Sequence, residues 1–216
     1  MNRTKIEYCD FTWNPIKGLC PEACWYCYAR RMYQRFGMRG DPHLDGVELG
    51  APLRLRSDTQ RRRVFVCSTF EIFSPVADPW RDHIFSIIQR CRDLTFIILT
   101  KRPERIDRSM PDNVWLGVSV TGDEDWYRVR QLSAAKVRVK FVSIEPFLGR
   151  TPDLRLASWL NWVIVGRLTG HGTKNDPELS AIGWIIAQAT EHEIPLFMKN
   201  NLNDICRGEL IQEYPK

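Results

Sequence analysis

Three thiols, Cys20, Cys24 and Cys27, fall within the eight residues "CPEACWYC", with Trp25 and Tyr26 between the last two. Thiols gathered this tightly either staple a loop or converge on a metal. The chain has seven cysteines, an odd number for a disulfide framework. It also has no apolar run long enough to cross a bilayer, and its opening, "MNRTKIEYCD", is too polar for a secretory signal. The expected location is therefore cytoplasmic and membrane-free, where reducing conditions disfavour disulfides and favour ligation.

A structural zinc ion normally takes four protein ligands. Cys9 would be the fourth, but it lies eleven positions before Cys20, across an expected first strand, and paired C-x2-C knuckles are absent. An iron–sulfur cubane is ordinarily held by four thiolates, so three would leave one iron open to a small ligand. The C-x3-C-x2-C segment leads into an expected helix at Tyr28–Phe36, and a nearby metal and a helix N-terminus both ease loss of a thiol proton. Cys67, expected inside a strand, and Cys91, expected on an apolar helical stripe, read as ordinary small core thiols.

The elements that must position these thiols are legible as runs. Residues 64–69, 96–100, 114–120, 139–144, 162–166 and 194–198 are short apolar stretches without polar alternation, as in strands covered on both faces. A further strand is expected near Phe11–Ile16. Helical character fills 78–93, with Asp78 as cap and Pro79 in the first turn, then 122–135 and 176–193. Strand alternating with helix predicts an α/β fold with six or seven mainly parallel strands in right-handed βαβ units. Residues 37–63, rich in Gly, Pro and Arg, break the rhythm and read as a lid or surface insertion in one domain spanning 1–216.

In parallel α/β architectures ligands bind beyond the carboxyl ends of the strands. Those ends carry Ser68, Thr69 and Glu71, then Thr100, Lys101 and Arg102, then Ser119 and Thr121. Ser143 and Glu145, Gly166 and Arg167, and Lys199 and Asn200 follow. Glu145 precedes Pro146, whose rigid backbone would aim the carboxylate. Lys101 and Arg102 suit a carboxylate or phosphate, and Pro103 would open the next helix. Gly117 and Gly166 would let a nucleobase or backbone approach closely. "GRLTGHG" has the flavour of a phosphate loop but lacks the G-x-x-x-x-G-K-[ST] pattern, and His171 within it reads as a surface residue. Net charge is +5, and the Arg-rich segments 29–39 and 54–63 would suit a polyanion, with Tyr33 and Phe36 for stacking.

The C-x3-C-x-aromatic-C pattern resembles the radical S-adenosylmethionine superfamily. The resemblance implies a partial (β/α)6 barrel of the TIM type, possibly with a seventh strand, and a [4Fe–4S] cluster on Cys20, Cys24 and Cys27. Tyr26 would then contact the adenine of S-adenosyl-L-methionine. Ser119 would meet its ribose, and Ser68, Thr69 and Glu71, or Glu145, its amino group, with Gly166 also lining the cofactor pocket. Lys101 and Glu145 would be the catalytic candidates, and electrons would come from an external flavodoxin- or ferredoxin-like donor. A closer likeness covers nearly the whole chain. "TWNPIKGLC", "CYARR", "LTKRPERI", "VWLGVSV", "FVSIEPFLG" and "WVIVG" look like successive blocks of a phage- and prophage-associated three-cysteine family classed as radical-SAM-like. Where that family commonly has Gly-Gly-Glu-Ser-Gly, this chain has Gly166-Arg167-Leu168-Thr169-Gly170, so a role resting on that glutamate does not transfer. The expected function is reductive cleavage of S-adenosylmethionine to a 5′-deoxyadenosyl radical that abstracts hydrogen, on a nucleotide or nucleic acid as the substrate class. The alternatives are a nucleic-acid-binding protein with structural zinc and a non-catalytic iron–sulfur redox sensor.

Overall fold

Segments such as Val64–Val66 and Phe96–Ile98 have no polar face to give to water, so they are stable only when covered on both sides. In the computed structural model, which describes residues 1–55, 62–148 and 155–216, the chain divides into two compact units, Met1–Trp115 and Leu116–Lys216. Each is mixed α/β, the first with parallel and antiparallel strand pairs and the second with parallel ones.

The first unit carries, in chain order, β1 (Asn2–Arg3), β2 (Phe11–Trp13), β3 (Ile16–Lys17), α1 (Tyr28–Phe36), β4 (His43–Leu44), α2 (Gly46–Leu49), β5 (Arg62–Val66), α3 (Asp78–Arg90) and β6 (Leu94–Thr100). β7 (Val114–Val120) carries the chain out of it. β1 runs antiparallel to β2, while β2 with β5 and β5 with β6 are parallel, placing Trp13 beside Val66 and Val66 beside Ile98. The strand expected over Phe11–Ile16 is two strands. Pro15 between them has no N–H for a ladder, and β3 pairs instead with β4.

That pairing draws in the first part of the 37–63 excursion. Asp45 caps α2 by accepting from the Val47 and Glu48 amides, each at 3.0 Å, and Trp13 Nε1 donates to the Glu48 carbonyl at 2.8 Å. These residues are tied to β2 and β3. Residues 56–61, with the central part of the second Arg-rich segment, lie outside the described residues.

Several local expectations shift. Asp78 is not the cap of α3 but lies in its first turn, after a 3-10 turn at Pro75–Ala77, and its carboxylate pairs with Arg81 and Arg105. Cys91 ends α3 instead of lying on its stripe. Cys67 follows β5 in a left-handed conformation, φ 52°, buried and outside the ladder proper. Pro103 opens only a 3-10 turn, Pro103–Arg105.

The second unit holds most of β7, then α4 (Tyr127–Leu132), β8 (Val139–Ile144), β9 (Trp162–Val165), α5 (Leu179–Glu191), β10 (Leu196–Met198) and α6 (Asn203–Cys206). β8, β9 and β10 are parallel neighbours, with Ile144 beside Val165 and Val165 beside Met198. The helix expected over 122–135 is a 3-10 turn at Asp123–Asp125 followed by α4, and the one expected over 176–193 starts at Leu179. Asp176, the first residue of that expected stretch, lies before the helix and pairs with Arg167. The Phe141, Trp162, Phe197 and Tyr214 rings form a chain with successive centroids 5.4, 6.1 and 5.3 Å apart. The last segment lies along β10, with the Met198 amide donating to Ile211 and the Glu213 amide to Leu196. It shields an otherwise open strand edge.

Candidate metal centre

The cysteine segment is a loop held at several points. The Gly18 amide donates to the Tyr33 hydroxyl at 2.7 Å and the Leu19 amide to the Gly40 carbonyl at 2.7 Å. Gly18 has φ 105°, and a Cβ there would stand 2.6 Å from the Asp41 carbonyl oxygen, so only glycine passes. Arg30 donates to the Cys20 carbonyl at 3.0 Å, and Cys27 is the extended residue that opens α1. As a result Cys20, Cys24 and Cys27 line one small pocket, together with Thr69 and Tyr33. Among the described residues, no group of three Cys, His, Asp or Glu side chains converges, as it stands, to hold a metal ion.

Lys101, just after β6, reaches the same place. Its ammonium donates to Cys24 Sγ at 3.0 Å and to the Tyr26 hydroxyl, and lies 4.6 Å from the centre of the Tyr26 ring. Burial works against its charge, but the phenol and the Cys24 sulfur outweigh that and raise its pKa above that of an ordinary lysine. Burial also raises the Tyr26 phenol and pushes the Cys20 thiol up to about 11. The contact is thus a lysinium against a neutral phenol and a sulfur.

Glu71 braces this arrangement. It is buried, and its carboxylate accepts from the Thr100 hydroxyl at 2.6 Å, the Lys101 amide at 2.8 Å and the Phe73 amide at 3.0 Å. Burial raises its pKa against those three bonds. The side chain is turned onto the backbone at the end of β6. Ser68 and Thr69 both lean on Asn14, whose Oδ1 accepts from the Ser68 hydroxyl at 3.1 Å and the Thr69 amide at 3.3 Å. Arg102 pairs with Glu22.

In the second unit the strand ends form another polar group. Glu145, joined to Pro146 by a cis peptide bond, pairs with Lys199. Gly166 leaves room for the pair: a Cβ there would stand 2.9 Å from Lys199 Cδ and 3.1 Å from Glu145 Oε1. Arg167 pairs with Asp176 at 2.9 Å and with the exposed Asp204 at 3.5 Å, so the cation gained at this position is already paired. Thr121 binds Asp125 through amide and hydroxyl, both at 2.9 Å, and the Ser119 carbonyl accepts from Arg128 at 2.9 Å. Ser143 is buried, and Asn200 accepts from Gln212 at 2.9 Å. A concavity of this unit lies at the other, amino-terminal ends of β8 and β10, among Val139, Asn161, His192 and Leu196. Its position is opposite to where parallel strands usually place a ligand.

A model of the proteins of unknown function designated DUF5131 matches residues 3–204. The chain belongs to the DUF5131 family. Neither curated proteins nor solved structures give a match.

In this DUF5131 protein, sequence reasoning missed Asn14, which orders Ser68 and Thr69, and the direct contact of Lys101 with Cys24. "WNP" and "TKRP" show polar residues at strand ends, but nothing in them names a partner more than fifty positions away. Two stacking and contact expectations also change. Tyr33 is buried, with its hydroxyl bound to Gly18, so it is not an exposed ring for stacking on a polyanion. Gly117 makes room for the Phe141 ring, which a Cβ would approach to 2.5 Å, and not for a nucleobase.

Proposed function

We propose that this DUF5131 protein is a radical S-adenosylmethionine enzyme built on a partial (β/α)6 barrel, with a [4Fe–4S] cluster on Cys20, Cys24 and Cys27. The supporting observation is that the three thiols line one pocket and one of them meets the Lys101 ammonium. The donor type fits iron–sulfur ligation, and a cation at a ligand sulfur suits a group that brings negative charge. Bound together, the cluster and S-adenosylmethionine would supply one-electron cleavage of the sulfonium and a 5′-deoxyadenosyl radical for hydrogen abstraction.

The chain's own residues do the rest. Lys101 offers a fixed positive charge beside Cys24, and Glu71, through Thr100 and the Lys101 amide, positions it. Tyr26 presents a ring next to the thiols, and Thr69 closes the pocket wall. In this reading Ser68, Ser119, Glu145 and Gly166 contact S-adenosylmethionine or its substrate at strand ends, and Lys199 holds the Glu145 carboxylate in place. The substrate class is a nucleotide or nucleic acid, and electrons come from an external flavodoxin- or ferredoxin-like protein.

Anaerobic reconstitution should give about four irons and four sulfides per chain. Adding S-adenosylmethionine and a strong reductant should then yield 5′-deoxyadenosine. Cys24→Ala should abolish iron retention, whereas Cys91→Ala should keep it. Equal iron in the two variants refutes the ligand assignment. Zinc without sulfide would replace the reading with a structural metal site, and a cluster that yields no 5′-deoxyadenosine would leave a redox sensor.

A further inference from the structure

The outward side of α1 is unusual for a surface helix. Tyr28, Met32 and Phe36, spaced four apart, are 48%, 40% and 66% exposed, and Trp25, just before the helix, is 59% exposed. Residues four apart share a helix face, so these side chains form a row. The side next to the row is the buried one, with Ala29 and Tyr33 turned inward. Each four-residue step advances about 6 Å along the axis, close to the reach of one extended nucleotide.

Arg31 and Arg35 lie three residues beyond Tyr28 and Met32, so helical spacing sets both guanidinium groups along one flank of the row. Both are exposed, and the Arg35 guanidinium lies 5.4 Å from the centre of the Phe36 ring. The helix, "YARRMYQRF", has no acidic residue. A row of ring and thioether faces with cations along one edge matches a strand whose bases stack on one side and whose phosphates run along the other.

We propose that this face of α1, with Trp25 at its start, is a docking track for single-stranded nucleic acid leading to the cysteine loop. An acidic protein partner would also be drawn by the arginines. The regular one-nucleotide spacing of the row and its position along a single flank of cations favour the polynucleotide. The inference deepens the proposed function by placing a polymeric substrate, and it rests on that reading only for what happens at the end of the track, because binding itself needs no turnover.

The test is fluorescence polarisation of short labelled oligothymidylate and oligouridylate at low salt with the reconstituted protein. Phe36→Ala with Tyr28→Ala should weaken binding by about tenfold or more, the value of lost base stacking. Arg31→Glu with Arg35→Glu should weaken it similarly and lower the slope of log affinity against log salt by about two. The same charge reversal at exposed Arg90 and Arg92 should leave affinity within about twofold, by the same one-contact logic. Circular dichroism confirms folding of each variant. The proposal falls if neither oligonucleotide binds, if both charge reversals weaken binding equally, or if the face binds only an acidic electron-transfer protein. Binding that persists without 5′-deoxyadenosine formation would refute the proposed function alone, and 5′-deoxyadenosine formation without binding would refute the track alone.

Discussion

Gly117 and Phe141 are twenty-four positions apart, yet a single methyl on the first would stand 2.5 Å from the ring of the second. Such a contact cannot relax without moving a fully buried aromatic in the second unit's core. Gly117→Ala should therefore cost about 1–3 kcal/mol as an overpacked core, read as a lowered urea midpoint with unchanged slope. Adding Phe141→Leu should recover part of that loss. From the sequence, the glycine at this strand position suggests room for a ligand, because the ring that fills the space belongs to another strand. Cys67 is a similar case. Burial pushes its thiol up to about 12, which makes it an inert core residue as expected, although it sits in a left-handed turn and not in a strand.

Within the first unit, α3 is joined to its surroundings through one buried cation. Arg81 pairs with Asp78 and with Asp107 at 3.3 Å, donates to the carbonyls of Ile72 and Ser74, and lies 5.3 Å from the Phe73 ring. Replacing it by methionine strands the two buried carbonyls, while Asp78 keeps Arg105 and Asp107 keeps Arg108; unsatisfied buried acceptors of this kind cost about 1–3 kcal/mol. The pH dependence has a definite sign. Slight burial opposes ionisation of Asp78, but Arg105 and Arg81 outweigh it, and Arg108 first and then Arg81 lower Asp107. Carboxyls held below the unfolded value contribute stability above about pH 4, and that contribution fades as pH falls through their folded values. Denaturation of Arg81→Met should therefore show a smaller loss between neutral and acid pH than the parent protein. The helix itself was legible from its apolar spacing, but its true start was not. The 3-10 turn before it and the two arginines that claim Asp78 are matters of tertiary contact, and a capping pattern read from sequence competes with them.

At the scale of the molecule, the α/β class and the positions of β7 and β8 could be read to the residue because continuous apolar runs have one stable use, as strands covered on both faces. The small β3–β4 pair and α2 were not legible: they are two to four residues each and depend on contacts with β2 and the chain's first residue. Among the described residues, no helix is long and apolar enough to cross a membrane. The thiols could be picked out by spacing, whereas the loop's bracing by Tyr33, Gly40 and Arg30 could not. That bracing has a consequence for how the protein lives without its proposed cofactor. Small metal domains often unfold when stripped, because the ion is what organises their ligand loops. Here the scaffold around the sulfurs is assembled by ordinary amide, hydroxyl and guanidinium contacts. Chain treated with a chelator should accordingly keep its far-ultraviolet dichroism and melt cooperatively; a collapse to a disordered spectrum would show that the cage is made by its guest.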